Sequence, residues 1–245
     1  MRVQALWQYP IKSLLGEPQK HLNVDTRGVV GDRLFAIVDA QGKLGSGKTT
    51  RRFKRIDGLF SLRAMTDGEA LRIGFPDGRW TEISRATLND ELSGFLGEPV
   101  TIQQEQDVPH HDDAAVHVLL STELQALQDD LPEVRIDPRR FRANIVLDSP
   151  KYITADGLMG RTLTLGSTRL LVTHKTERCG MVTMAQDDLT FAPQILRKIA
   201  QQFDVHFGVY AKVLRPGSIS LGDAVAVSSE GAAQLPMRHA DMPFK

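Results

Sequence analysis

Cysteine is almost missing from this 245-residue chain, which holds one, Cys179. A single thiol excludes an intramolecular disulfide framework, a zinc site made of cysteines alone and an iron–sulfur cluster held by four thiolates of the chain. Charge of one sign is missing too, because 30 Lys and Arg stand against 30 Asp and Glu. That balance gives no global electrostatic case for nucleic acid or an anionic membrane as partner. No stretch approaches the roughly eighteen apolar residues a membrane helix needs. Met1-Arg2-Val3-Gln4-Ala5-Leu6-Trp7 also lacks the long apolar core and cleavage site of a secretory signal. A soluble, cytoplasmic protein is expected. With 41% hydrophobic and 24% charged residues, the composition is that of an ordinary globular chain, long enough for one large β-rich domain or two smaller ones.

The lone cysteine lies in Thr176-Glu177-Arg178-Cys179-Gly180-Met181-Val182-Thr183, between strand-like runs. Lys175 and Arg178 favour its thiolate form, the nucleophilic and metal-binding one, and Glu177 partly opposes them. Three readings stand: a metal ligand, a nucleophile with His174 or His206 as base, or a buried cysteine acting as a small hydrophobe.

Taken in order, Val3 to Trp7 predicts a short strand stopped at Tyr9-Pro10, where proline removes a ladder donor. Ile11-Lys12-Ser13 follows directly. Gly31-Asp32-Arg33 leads into a second strand, Arg33 to Val38, and its glycine suits a turn or a close backbone approach. Further strands are expected near Phe60 to Ala64, Ala70 to Ile73 and Trp80 to Ile83, separated by the hairpin signals Asp67-Gly68 and Asp77-Gly78. A helix over Asp90 to Leu96 and a strand over Val100 to Gln103 complete a small antiparallel β unit.

Gly42-Lys43-Leu44-Gly45-Ser46-Gly47-Lys48-Thr49 fits the phosphate-binding P-loop pattern at every fixed position. A P-loop must open a helix whose amides face the phosphates. Here Arg51-Arg52-Phe53-Lys54-Arg55 puts four cations where the helix dipole disfavours them, and Gly58 stops any helix soon after. The stretch reads better as a flexible basic hairpin loop, or as cations flanking a pocket for an anionic ligand.

His110-His111-Asp112-Asp113 offers metal-ligating types without a spaced third ligand, and reads as a solvated loop. Val116 to Leu120 predicts a strand, and Ser121 the N-cap of a helix running to about Asp130. Arg142 and Asn144 alternate in a strand-like run, which would place both on one face, lining a site or forming an exposed edge. Strands are expected at Thr162 to Leu165 and Arg169 to Val172, and a helix over Phe191 to Phe203 capped by Thr190. The close, Gly208 to Val227, is broken by Pro216-Gly217 and Gly222-Asp223, as in a small barrel or sandwich.

Five elements then stand in one order: Tyr9-Pro10-Ile11-Lys12-Ser13, Gly31-Asp32-Arg33, Arg140-Phe141-Arg142-Ala143-Asn144-Ile145, Arg178-Cys179 with Val182-Thr183, and Gly222-Asp223. Together they resemble the MOSC family, named for the C-terminal domain of molybdenum cofactor sulfurases and shared with the mitochondrial amidoxime reducing component and its bacterial relatives. The resemblance implies a mainly β fold with a few short helices: an N-terminal β-barrel-like subdomain over 1–106, a MOSC β-barrel over 107–229 and a flexible tail over 230–245. A molybdenum–molybdopterin cofactor would sit between the two units. On this resemblance Cys179 matches the thiolate that binds molybdenum. Lys12, Ser13, Arg33, Arg142 and Asn144 match residues that hold the pterin and its phosphate, with Arg178 and Tyr210 at the same pocket. The implied activity is oxygen-atom removal from small N-hydroxylated or N-oxide substrates, with electrons from a separate ferredoxin or flavin/iron–sulfur reductase. A second reading is a carrier of cofactor or sulfur on Cys179. Pyridoxal phosphate binding, another family-level analogy, would need a reactive lysine, for which Lys12 is the candidate. The chain departs from the pattern at Ala114-Ala115, where family reductases often place Thr-Ser, and at Ala143, where proline is common.

Overall fold

The computed structural model describes residues 1–68 and 70–229, so the tail expected over 230–245 lies outside the described residues. The chain is mostly strand with short helices. Its centre is an eight-stranded curled sheet in the order Val225–Ser228, Thr162–Leu165, Thr168–Glu177, His206–Arg215, Val116–Leu120, Ile145–Asp148, Arg2–Gln8 and Glu17–Gln19. All neighbours in it run antiparallel except Val116–Leu120 beside Ile145–Asp148, which are parallel. A parallel pair needs a crossover, and the helix Ser121–Asp130 lies in that connection. All five residues of Val116–Leu120 are buried, as a central strand covered on both faces requires.

The remaining strands form three small sheets. Gln104 to Val100 pairs with Phe35–Asp39, which passes through Leu44–Ser46 to Phe53–Arg55. Arg63–Asp67, Ala70–Gly74 and Trp80–Glu82 make a meander, with turns at the two Asp-Gly pairs. A separate apolar cluster, built from residues such as Ile37, Leu59, Ile73 and Leu92, fills this half. The large sheet encloses its own core, including Leu6, Val118, Ile145 and Val209. A third cluster packs Phe141, Phe207, Ile195 and Ile199 beneath the helix Gln194–Gln202.

Several expected elements differ. The segment near Phe60 is a 3-10 turn, Leu59–Ser61, before the strand begins at Arg63; Gly58 at φ +91° and the Leu62 amide on the Leu59 carbonyl close it. Ser121 is the first helical residue, not a cap, because its Oγ accepts the Ser149 amide at 3.0 Å. Pro193, not Thr190, precedes the helix Gln194–Gln202. The run through Arg142 is not a strand until Ile145. Pro138–Phe141 is a 3-10 turn whose N-cap Asp137 accepts the Arg139 amide at 2.9 Å, and Arg142 follows it in the left-handed region.

Candidate functional site

The stretch Tyr9 to Ser13 leaves the large sheet and crosses to the N-terminal half. Lys12 is placed there by its amide on the Phe35 carbonyl, 2.8 Å. Gly31-Asp32-Arg33 clasps the same stretch: the Asp32 carboxylate accepts the Tyr9 amide at 2.7 Å, and the Arg33 amide donates to the Tyr9 carbonyl at 2.7 Å. Asp32 also pairs with the Arg33 guanidinium, which in turn donates to the Arg142 carbonyl at 2.8 Å. Arg142 reaches back to the Leu14 carbonyl, 2.7 Å. Both guanidiniums lie over the Tyr9 ring, at 4.3 Å for Arg142 and 4.9 Å for Arg33.

Lys12, Arg33 and Arg142 line one pocket of about 260 Å³. On its other side the strand Thr168–Glu177 ends and turns through Arg178 and Cys179 into the 3-10 turn Gly180–Thr183. Lys12, Ser13, Arg33, Arg142, Arg178, Cys179 and Tyr210 all line it; Asn144 does not. The Asn144 carboxamide instead joins backbones behind the wall, accepting from the His117 amide at 3.2 Å and donating to the Trp7 carbonyl at 3.4 Å. It positions the pocket without facing it.

The electrostatics suit an anion. Six cationic residues and three carboxylates line the pocket. Burial pushes Arg142 down to about 10, with the neighbouring Arg33 adding to the effect, and burial also lowers Arg178. Among the described residues Arg142 Nη2 and Arg178 Nε are buried without a partner, an expensive state that a bound acceptor would relieve. Burial holds Lys12 down at about 8, and its ammonium donates to the His110 carbonyl at 2.9 Å and to Asp112 at 2.5 Å. That engaged amine is not a free nucleophile of the kind pyridoxal phosphate needs. Arg140, the remaining buried guanidinium, spends its donors on the carbonyls of Arg135, Met184 and Thr190.

His110 to Asp113 is a wall of the site rather than a solvated loop. His110 and His111 are buried, and Asp112 and Asp113 line the pocket. Burial favours a protonated Asp112, but Lys12 beside it prevails and holds the carboxyl well below its ordinary range. His117 was hidden to sequence reading as well, although a histidine inside Val-His-Val-Leu-Leu is itself a signal. Burial drives its pKa far down, its Nε2 is unpartnered, and its ring stands 5.2 Å from that of Tyr210.

The P-loop-like stretch opens no helix; Leu44–Ser46 is a strand running parallel to Phe53–Arg55. Its Gly47 has a different use, since a Cβ there would sit 2.6 Å from Met184 Sδ and 3.1 Å from Met181 Cγ. Glycine lets this loop close onto the segment that follows Cys179. Of its cations Lys48 lines the pocket, whereas Arg52 is held by the His111 carbonyl at 3.2 Å and by that of Pro109, Lys54 by Glu98, and Arg55 by Asp57.

The sequence matches the MOSC N-terminal beta barrel domain over residues 1–124 and the MOSC domain over residues 105–226. The chain belongs to the MOSC domain family. No curated protein matches it in sequence. Among solved structures it is similar to the YUAD protein from Bacillus subtilis, at 14% identity and TM-score 0.48, over 92% of this chain and 94% of that one. YiiM from Escherichia coli matches at 13% identity and TM-score 0.45, over 100% and 80%. YiiM from Geobacillus stearothermophilus matches at 20% identity and TM-score 0.40, over 51% and 59%.

Within this MOSC chain no group of three or more His, Cys, Asp or Glu could by itself hold a metal ion among the described residues. One soft cysteine sulfur is what the pocket offers, which suits a metal that arrives with sulfur ligands of its own. Cys179 is partly exposed, and no hydrogen bond joins it to His174 or His206 among the described residues. His174 is instead bonded to Asp113 and Thr173.

Proposed function

We infer that this MOSC protein binds a molybdenum–molybdopterin cofactor and is an oxidoreductase that removes oxygen from N-hydroxylated or N-oxide substrates, with electrons from a separate donor protein. The observation that supports it is the unpartnered, buried Arg142 Nη2 in a cation-rich pocket whose wall also carries the only thiol. Arg33, Arg142 and Ser13 would hold the phosphate and pterin, because an anionic phosphate is best met by guanidinium forks and short polar donors. Lys12, tied to Asp112, would add a fixed positive charge. Cys179 would be the protein ligand to molybdenum. When bound, the cofactor supplies the two-electron chemistry, as cofactors do for hard reactions. The chain's own groups bind it, orient it and set the charge around it.

The test is metal analysis and pterin fluorescence on protein made in a cofactor-competent host, with Cys179→Ala in parallel. Near-stoichiometric molybdenum in the parent, lost in the variant, is the expected result. Absence of both molybdenum and pterin from the parent would refute the cofactor. A persulfide on Cys179 without molybdenum, detected by mass spectrometry, would favour the sulfur carrier instead. Full molybdenum with no turnover of any hydroxylamine or amidoxime would refute the substrate class alone.

A further inference from the structure

Removing oxygen from an N–OH group needs protons as well as electrons. The N–O bond breaks, two electrons enter from the donor protein, and two protons are taken up as the amine and water form. None of the groups assigned above to cofactor binding is arranged to supply them. Next to Asp112, which Lys12 bonds, the pocket wall carries Asp113, and His174 behind it completes a pair that is. His174 Nε2 lies 2.6 Å from Asp113 Oδ2, and His174 Nδ1 lies 2.9 Å from Thr173 Oγ1. Thr173 Oγ1 in turn lies 3.2 Å from the Tyr210 carbonyl.

Counting hydrogens along this chain shows which protonation state makes every contact a hydrogen bond. A threonine hydroxyl has one hydrogen, and the Tyr210 carbonyl can only accept. If that hydrogen went to His174 Nδ1, two oxygens would face each other at 3.2 Å with nothing between them. With it on the carbonyl side, Nδ1 must carry its own hydrogen to reach the threonine oxygen. Asp113 then also requires a hydrogen on Nε2, or must carry one itself. In either case the pair holds one proton more than a carboxylate beside a neutral ring.

The placement suits delivery. Asp113 lines the pocket, while its side chain is 62% exposed and so is open to solvent. His174 is set behind it at 18% exposure, on a strand where it is in register with Tyr210, and the two rings stand 5.2 Å apart. Other charged or titratable groups of this pocket are Asp112 from the same loop with Lys12 bonded to it, His117 and Tyr210 from the neighbouring strands, Glu177 and Arg178 at the end of the histidine's own strand, and Arg33. His117 is kept neutral and buried, and burial raises the Tyr210 hydroxyl. Neither is poised to compete as an acid.

We propose that Asp113 is the proton donor to the pocket and that His174 is the positioning residue that stores its proton. Resting on the reductase reading above, the proton held on His174 Nε2 passes to Asp113 Oδ2 and from that same oxygen to the departing substrate oxygen. The carboxylate is restored, the ring is left neutral, and water reprotonates it for the second proton.

The experiment uses the full chain, with Asp113→Asn and His174→Gln. Nitrogen-15 spectra of cofactor-free protein at pH 7 should show both His174 ring nitrogens protonated in the parent and only one in Asp113→Asn. A neutral His174 ring beside an unprotonated Asp113 in the parent overturns the stored proton, whatever the activity. With cofactor, benzamidoxime as substrate and reduced methyl viologen as electron source, Asp113→Asn should keep its molybdenum and its KM. Its kcat should fall about 100-fold, within the range for loss of a general acid. That kcat should then rise about tenfold per unit drop in pH, and added formate should restore part of it. A variant within threefold of the parent and with the parent's pH profile overturns delivery, as does a large loss that formate and pH leave unmoved. A parent that holds full molybdenum yet reduces no substrate overturns the reductase reading and delivery with it, while the nitrogen spectra still decide the stored proton.

Discussion

Ser13, Arg33 and Arg142 are all non-glycine residues with left-handed backbones, at φ 65°, 50° and 56°, and all three line the pocket. Such a conformation costs about 1–3 kcal/mol per residue and survives where surrounding contacts over-determine it. Here the contacts are the Ser13 hydroxyl on the Gly45 carbonyl at 2.9 Å and the guanidinium bonds of the two arginines. Nothing in a serine or an arginine advertises this backbone, so the residues were legible through their motifs and the strain was not. Glu105 is a second residue no motif marks. Its carboxylate accepts from Arg27 Nε and Nη2 at 2.6 Å each and from the His110 amide at 2.6 Å, anchoring the loop that forms the pocket wall. Burial would raise this carboxyl, but Arg27 and the His110 amide prevail and hold it at about 2. A group depressed on folding contributes stability that is fully present above its unfolded pKa, near 4.5, and is lost as pH falls towards 2. Allowing for solvent screening, Glu105→Gln should cost about 1–2 kcal/mol at pH 7. Urea unfolding at pH 7 and at pH 3 should show that gap shrinking in acid; an equal gap at both would contradict the assignment.

Elements were legible where alternation or turn chemistry was strong and illegible where a cap decided the outcome. The strands around Asp67-Gly68 and Asp77-Gly78 form the hairpins their turns announce. The run through Arg142 and Asn144 reads as strand-like because those two polar residues alternate. Yet Asp137-Pro138 ahead of it is an N-cap followed by proline at the first helical position, a start signal that outweighs alternation over so short a span. The strand His206–Arg215 carries its own device in Gly208, which lies at φ +80° against the strand that bears His117. A Cβ on it would come within 2.7 Å of Leu119 Cδ2 and 2.8 Å of both His117 Nε2 and the Val118 carbonyl. The backbone carbonyl cannot yield as a side-chain tip can. Gly208→Ala should therefore destabilise by about 2–3 kcal/mol, combining backbone strain with overpacking. It should also displace His117 in the pocket, moving its imidazole NMR signals. Unchanged stability would mean that the two strands have room to separate.

At the scale of the molecule, what sequence could not supply was the pairing of distant segments. The strand Arg2–Gln8 falls in the stretch expected to form the N-terminal subdomain. It pairs inside the large sheet, with Ile145–Asp148 on one side and Glu17–Gln19 on the other. His21–Asp25 likewise pairs with Gly217–Ser220. The chain then crosses back, where the Leu15 amide meets the Leu62 carbonyl and the Ala64 amide meets that of Leu15, at 2.9 Å each. The large sheet takes two of its strands from the N-terminal stretch, and the pocket lies on residues from both halves. Such interleaving should make unfolding a single cooperative transition. The two tryptophans report on it separately, since Trp7 lies in the large sheet and Trp80 in the three-stranded one. Trp7→Phe leaves the second reporter and Trp80→Phe the first. Their urea midpoints, each referred to circular dichroism of the same variant, should coincide. A Trp80 transition well below that of Trp7 would show the N-terminal meander melting on its own before the large sheet yields.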